Sequence, residues 1–303
     1  MSKAHNIPGF VYKLMLVLAT LIWGVAFVVM KDAVDVLPPA WLIGVRFSLT
    51  GVLMAIIFHK SLKNTLNVPF LKASFVLGLA TFMAFWVQTI GLTETTPGKN
   101  AFLTATYCVI VPFVMWALTK KRPGLLNVFA AVLCVAGIGL VSMTGGFFLL
   151  SFGDFMTLLC AFFFALQIIF VARYSKTFDV LALTVWQFIF GGALGIAIGL
   201  VSEPFPALSS FTPDFFFNLF YLVVFASAVC YVLQNVGLAH VAPTQGALLL
   251  SLESVFGVLS SIVLYGEVVT GRMVCGFVLI FLAILTSELG PTWLEEVKKR
   301  WAT

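Results

Sequence analysis

Charged side chains are scarce in this chain: 17 basic and 12 acidic residues, 10% of 303. A soluble domain carries about 25%, so a water-facing globular enzyme and a disordered protein are both excluded. Histidine is rarer still, with His5, His59 and His240 scattered along the chain. No His-Glu-x-x-His pair and no acidic cluster stands in an apolar stretch, so no metal site and no cofactor is expected. A GxxxxGK[ST] loop is missing too, which leaves no ATP-driven motor in this chain. The five cysteines (Cys108, Cys134, Cys160, Cys230 and Cys275) show no Cys-x-x-Cys spacing. They read as small apolar packing residues within spans, neither disulfides nor metal ligands.

Apolar residues fill the chain instead, at 61%. Continuous apolar runs occur at 12–30, 40–58, 70–90, 99–118, 124–143, 155–172, 181–201, 215–236, 244–264 and 272–289. Each approaches the roughly 20 residues that a membrane-spanning helix needs. Backbone groups in lipid must bond within their own segment, which selects helices; a barrel would alternate over short strands. The expected fold is all-α integral membrane, with ten transmembrane helices. Lys31-Asp32 follows the first run directly, so that run reads as a retained span rather than a removed signal peptide.

Basic residues orient the spans. With loops assigned alternately, thirteen fall on the side of the N-terminus: Lys3, Lys13, Lys60, Lys63, Lys72, Lys120, Lys121, Arg122, Arg173, Lys176, Lys298, Lys299 and Arg300. Three fall opposite: Lys31, Lys99 and Arg272. The bias predicts a multi-pass membrane protein with both termini cytoplasmic. It accounts for the net charge of +5 without nucleic acid, and an odd number of spans would strand the C-terminal basic cluster outside. Most acids collect on the outer side: Asp32, Asp35, Glu94, Asp154, Glu203, Asp214 and Glu267.

The chain also repeats itself. Val87-Gln88-Thr89-Ile90-Gly91-Leu92 recurs as Leu233-Gln234-Asn235-Val236-Gly237-Leu238, at an offset of 146. Pro97 matches Pro243 and Ala101 matches Ala247 at the same offset. Near offset 141, Phe47 matches Phe188, Gly51 matches Gly192, Arg46 falls on Gln187, and Trp23-Gly24 falls on Phe164-Ala165. Ordered matches of this kind divide the chain into residues 1–146 and 147–290, followed by a basic tail at 291–303. Five spans is an odd number, so the second half enters the membrane from the opposite side. Two inverted-topology five-helix repeats are thus expected, an arrangement used by alternating-access transporters with a site between the halves. Lys121 falls on Glu267, opposite charges at positions expected to face opposite sides.

Several motifs now point to a family. They are Leu21-Ile22-Trp23-Gly24 with Phe27, Arg46-Phe47 after a proline pair, and Pro112 followed by Lys120-Lys121-Arg122-Pro123. In the second half they are Leu252-Glu253 and Leu264-Tyr265-Gly266-Glu267. In their order and spacing the chain resembles the drug/metabolite transporter superfamily, EamA-type branch, over nearly its whole length. The resemblance implies a ten-helix secondary transporter with spans 1, 3, 4, 6, 8 and 9 around a central cavity. It also implies export of amino acids, related metabolites or small toxic compounds. Two residues depart from the pattern: Ser254 stands where a proline often follows Leu-Glu, which removes a helix-breaking ring, and Lys121 stands where an acid is usual.

Candidate working residues follow from depth. Glu253 is the carboxylate nearest the centre of a span, and an ionisable group there costs at least about 2.5–3.5 kcal/mol. It reads either as a proton carrier or substrate contact, or as a hydrogen-bonded helix clamp. Arg46 lies about a turn and a half inside span 2; it could hold a substrate carboxylate, but the nearby interface makes outward snorkelling the expected behaviour. Gln88 and Gln234, the repeat-related amides, could line opposite gates or bond across helices. Asn100, beside Lys99 at the outer mouth of span 4, could contact substrate, as could Thr244-Gln245 near the inner start of span 9, but a solvated helix end is the expected role of both. Trp23 and Tyr107 are candidates for an aromatic cavity wall, alongside Phe27, Phe85, Trp86, Trp186 and Tyr231. Pro112 is expected to bend span 4. Gly191, Gly195 and Gly199 form a small-residue face for close helix contact, and Trp293 and Trp301 read as interfacial anchors.

The leading function is secondary transport of small organic solutes. Its partners are a small-molecule substrate, membrane lipid and a coupling ion such as the proton, with a homodimer left open. Opposite charges at Glu253 and Arg46 favour a zwitterion of the amino-acid type. A transporter or flippase of lipid-linked or amphipathic molecules is the alternative. A membrane-embedded enzyme would need two or more convergent ionisable groups, and only one central acid is present.

Overall fold

A computed structural model describes residues 8–63, 65–120, 122–142 and 150–301, with side chains as far as Ser287. Lys3, His5 and Lys121 lie outside the described residues, as do the side chains of Trp293, Lys298, Lys299, Arg300 and Trp301. All regular structure among the described residues is helical. The helices are α1 (Gly9–Val34), α2 (Pro39–Ile57), α3 (Val68–Thr93), α4 (Pro97–Thr104), α5 (Tyr107–Thr119), α6 (Leu125–Ser142) and α7 (Phe152–Tyr174). There follow α8 (Val180–Ser202), α9 (Pro213–Val223), α10 (Cys230–His240), α11 (Pro243–Leu250), α12 (Leu252–Ser260) and α13 (Gly271–Trp301).

Nine helical segments among the described residues are long and apolar enough to cross a membrane, with α4–α5, α9–α10 and α11–α12 each counting as one. The apolar portion of α13, Gly271–Ser287, is shorter. Apart from α13, the helices outrun the apolar runs by up to four residues, and polar caps set several of their starts. Asn67, Ser151, Asp179 and Thr212 each accept a bond from the backbone N–H three residues on, at 3.0, 3.1, 2.8 and 3.3 Å. Proline opens α2, α4, α9 and α11, where its missing N–H costs nothing.

Two spans are broken at equivalent places. α4 ends at Thr104 and α5 starts at Tyr107; α11 ends at Leu250 and α12 starts at Leu252, 146 residues later. The expectation that Pro112 bends span 4 needs correction: Pro112 lies inside α5, and the break precedes it. Val258 stands at the matching position of the second half, so the break does not depend on proline. Hydroxyls stabilise it instead. Thr106 Oγ1 donates to the Leu103 carbonyl at 2.7 Å, and Ser254 Oγ donates to the Ser251 carbonyl at 2.7 Å. Ser254 in place of proline therefore leaves the second break intact.

The closest helix pair is α2 with α8. Gly195 lies against Gly44, and a Cβ there would come within 2.5 Å of the Gly44 Cα; one at Gly199 would meet the Trp41 ring at 2.8 Å. A Cβ at Gly191 would touch Phe47 at 3.0 Å. At the end of this pair Glu203 accepts from the N–H groups of Ala40 and Trp41, at 2.9 to 3.1 Å, capping α2 from the end of α8. Cys108, Cys134, Cys160 and Cys230 are buried and in no disulfide, whereas Cys275 is exposed on α13, so the packing role does not extend to it. Gly195→Ala is expected to cost about 1–3 kcal/mol by overpacking and to lower the melting temperature in detergent. Gly124→Ala, with nothing within 4 Å of the new Cβ, is expected to leave it unchanged.

Candidate functional site

A cavity of about 40 Å³ runs between α1, α2, α3, α5, α7, α10, α11 and α12. Trp23, Phe27, Phe85, Tyr107 and Phe164 make its walls aromatic, and Arg46, Gln88, Gln234 and Glu253 supply its polar groups. Repeat-related residues line it in pairs: Trp23 with Phe164, Phe27 with Ile168, Gln88 with Gln234, and Tyr107 with Glu253. The first two pairs stand at offset 141 and the last two at 146. Span 2 contributes through Arg46, beyond the six spans that the family resemblance implied.

Arg46 does not snorkel outward. It is 1% exposed, and Nε donates to Ser227 Oγ at 2.7 Å while NH2 donates to the Ala226 carbonyl at 3.3 Å. Its guanidinium carbon lies 4.9 Å from the Phe85 ring centroid and 5.7 Å from that of Phe47. The cation is thus held by a hydroxyl, a carbonyl and π-faces, with no carboxylate partner among the described residues. The π-helical stretch Val224–Val229 supplies Ala226 and Ser227, and this irregular backbone is what turns them toward Arg46. Trp23 is tied to the same stretch, with Nε1 donating to the Ala226 carbonyl at 2.7 Å.

Glu253 sits in the first turn of α12, immediately beyond the break, and is 7% exposed. The Tyr107 hydroxyl lies within interaction range of its carboxyl. No ion pair joins Glu253 to Arg46 or to another described cation. Gln88 Nε2 donates to Thr104 Oγ1 at 3.0 Å, and Gln234 Nε2 donates to Gln167 Oε1 at 3.1 Å. Each amide bonds across helices while lining the same cavity. Asn100 does not sit in a solvated mouth: it is fully buried, and Nδ2 donates to Thr157 Oγ1 at 2.8 Å. Thr244 and Gln245 are exposed, as a helix end should be. Among the described residues no group of three or more His, Cys, Asp or Glu side chains could hold a metal ion.

Charged groups tie together the bundle end formed by the C-termini of α1 and α3 and the N-termini of α4 and α7. Lys99 Nζ meets the fully buried Asp154 at 2.7 Å. Lys31 Nζ donates to the Leu92 and Thr93 carbonyls at 2.9 and 3.2 Å, closing the end of α3. Glu267 accepts from the hydroxyls of Thr96 and Ser261 and from the Gly98 N–H, joining the turn after α12 to the start of α4. Sequence reasoning placed Asp154 and Glu267 in a loop set and missed these bonds, which exist only because distant helix ends meet. Phe164 and Gln187 were legible as repeat partners of Trp23 and Arg46; Ser227 and Gln167 carried no signal.

Helix bundle, membrane-length apolar segments and a buried polar cavity together define a multi-pass membrane transporter. The EamA-like transporter family matches residues 11–143 and again residues 151–288, and the chain belongs to that family. Among its relatives is an "Uncharacterized transporter" of Archaeoglobus fulgidus, 32% identical over 90% of this chain and 84% of that protein. Another is a WAT1-related chloroplastic protein of Arabidopsis thaliana, 28% identical over 75% of this chain and 56% of that protein. A solved crystal structure shares the fold with a TM-score of 0.70 at 16% identity, covering 94% of this chain and 98% of that one.

Lys99→Met leaves Asp154 buried and uncompensated, and is expected to cost about 3–5 kcal/mol. Thermal unfolding in detergent should show the loss, with most of it recovered in the Lys99→Met/Asp154→Asn double variant.

Proposed function

We propose that this protein is a secondary transporter that moves a small zwitterionic solute, of the amino-acid type, through a site shared by its two halves. One observation carries the reading: a buried guanidinium, Arg46, and a buried carboxyl, Glu253, line one cavity without pairing with each other. Charges buried in a membrane protein are costly unless paired, so a substrate bearing both a carboxylate and an ammonium fits the two vacancies. The aromatic walls suit an apolar side chain on that substrate. Export of amino acids, related metabolites or toxic compounds is the direction favoured by family resemblance.

Ten spans, arranged as inverted repeats over 1–146 and 147–290, are supported by the two family matches and by the repeat-related pairs in the cavity. Rocking of one half against the other would then open the site to each side in turn. The bias of basic residues, together with the family resemblance, favours the cell membrane with both termini in the cytoplasm. Proton coupling would fall to Glu253, the acid in the cavity. A second reading, movement of an amphipathic or lipid-linked molecule, is favoured by a separate apolar groove of about 390 Å³ between α12 and α13, lined by Val258, Leu259, Phe277 and Phe281.

Purified protein in liposomes, assayed with labelled amino acids under an imposed pH gradient, tests the proposal. Saturable flux is expected. Arg46→Gln should raise KM for a carboxylate-bearing substrate about tenfold or more, the worth of a charged hydrogen bond. Glu253→Gln should abolish stimulation by the gradient. Unchanged kinetics in both variants would sink the zwitterion reading, and flux of amphipathic lipids alone would favour the second one.

A further inference from the structure

A chain of buried amides leads away from the cavity. Gln234 Nε2 donates to Gln167 Oε1 at 3.1 Å, and Gln167 Nε2 donates to Asn235 Oδ1 at 3.4 Å. Asn235 Nδ2 donates to Thr184 Oγ1 at 2.9 Å and to Gln187 Oε1 at 3.2 Å. Gln187 Nε2 then donates to Thr81 Oγ1 at 2.7 Å. All six side chains are buried, none more than 3% exposed.

Such a chain has a polarity, and its far end sets it. The two ends of an amide are told apart only by their partners. Thr81 commits its hydroxyl proton to the Leu77 carbonyl at 2.8 Å, and Thr184 commits its own to the Val180 carbonyl at 2.7 Å. Engaged in this way, each hydroxyl oxygen is left to accept. That forces the NH2 groups of Gln187 and Asn235 toward them. Their carbonyl oxygens must in turn accept, from Asn235 and Gln167 respectively. The same logic turns Gln167 Oε1 toward Gln234, whose NH2 donates one of its two N–H groups there. What remains is Gln234 Oε1, buried with no partner in the protein, on a residue that lines the cavity. Flipping Gln234 would set two carbonyls face to face.

We propose that Gln234 presents a fixed hydrogen-bond acceptor to the substrate and selects for a group bearing N–H donors, with Thr81 and Thr184 as positioning residues that hold its amide in that sense. This deepens the zwitterion reading and rests on it. Gln234 Oε1 and the ionised carboxylate of Glu253 accept from the substrate's ammonium, and Arg46 donates to its carboxylate. An unsatisfied acceptor penalises an isostere lacking the donor more than a lost apolar contact would. The selection is thus against deaminated analogues of similar shape.

The test is calorimetric binding to the purified full chain, comparing phenylalanine with 3-phenylpropionate, which lacks only the amine. The intact protein should favour phenylalanine about tenfold or more. Gln234→Leu should reduce that preference about tenfold while phenylpropionate binds as before. Thr81→Val/Thr184→Val should lower the preference about threefold, and Thr81→Ser/Thr184→Ser should restore it. Phenylpropionate binding also reports that each variant is folded. An unchanged preference in Gln234→Leu overturns the selector and leaves the zwitterion reading standing. Loss of both ligands in Gln234→Leu also overturns it, by assigning Gln234 to packing. If neither compound binds the intact chain, the zwitterion reading falls and takes the selector with it.

Discussion

Hydrocarbon offers no hydrogen bonds, and every polar group in this bundle is arranged around that constraint. The backbone meets it by coiling into helices. Side chains meet it by finding partners on other helices, as Arg46 does with Ser227 and Ala226, and Gln88 with Thr104. Where charge is needed at helix ends, backbone groups serve as the counterpart: Glu203 takes the N–H groups opening α2, and Lys31 takes the carbonyls closing α3. Groups left without a counterpart therefore stand out, and those that line the cavity are Arg46 and Glu253 for charge and Gln234 Oε1 for hydrogen bonding.

Broken helices are the second device. The interruptions at Ala105–Thr106 and at Ser251 sit 146 residues apart, and each places a cavity residue in the turn that follows, Tyr107 in one half and Glu253 in the other. Local hydroxyls add bonds to carbonyls at the break, which helps the backbone stay irregular inside the bundle. The π-helical stretch at Val224–Val229 works in the same way for Arg46, because its Ala226 carbonyl and Ser227 hydroxyl form the cradle for the guanidinium. Cavity chemistry in this protein is thus concentrated where regular helix fails.

Much of this was legible in the residues alone. Apolar runs of membrane length located the helical segments to within a few residues at most ends, because hydrocarbon thickness dictates their length. The self-match named Gln88 with Gln234 and Trp23 with Phe164, all of which line the cavity. Glu253 and Tyr107 could be singled out by depth and residue type. Caps and prolines marked where helices begin, since their chemistry is local.

Other features depend on which helices meet, and no local pattern carries that. Arg46 lies near enough to the end of α2 to suggest escape to the interface, yet α9–α10 packs over it and supplies its partners 180 and 181 residues away. Asn100 reads as a solvated end until α7 brings Thr157 to it. Likewise, Gln167, Asn235 and Gln187 lie on three separate helices, and only packing brings their amides into one chain of hydrogen bonds. Length, hydropathy and internal repetition determined the membrane class and the elements of this protein, because those depend on solvent and on short-range bonding. The tertiary structure decided which polar groups are satisfied and which face the cavity unpaired, because a hydrogen bond needs its partner within about 3 Å, and only packing sets that distance.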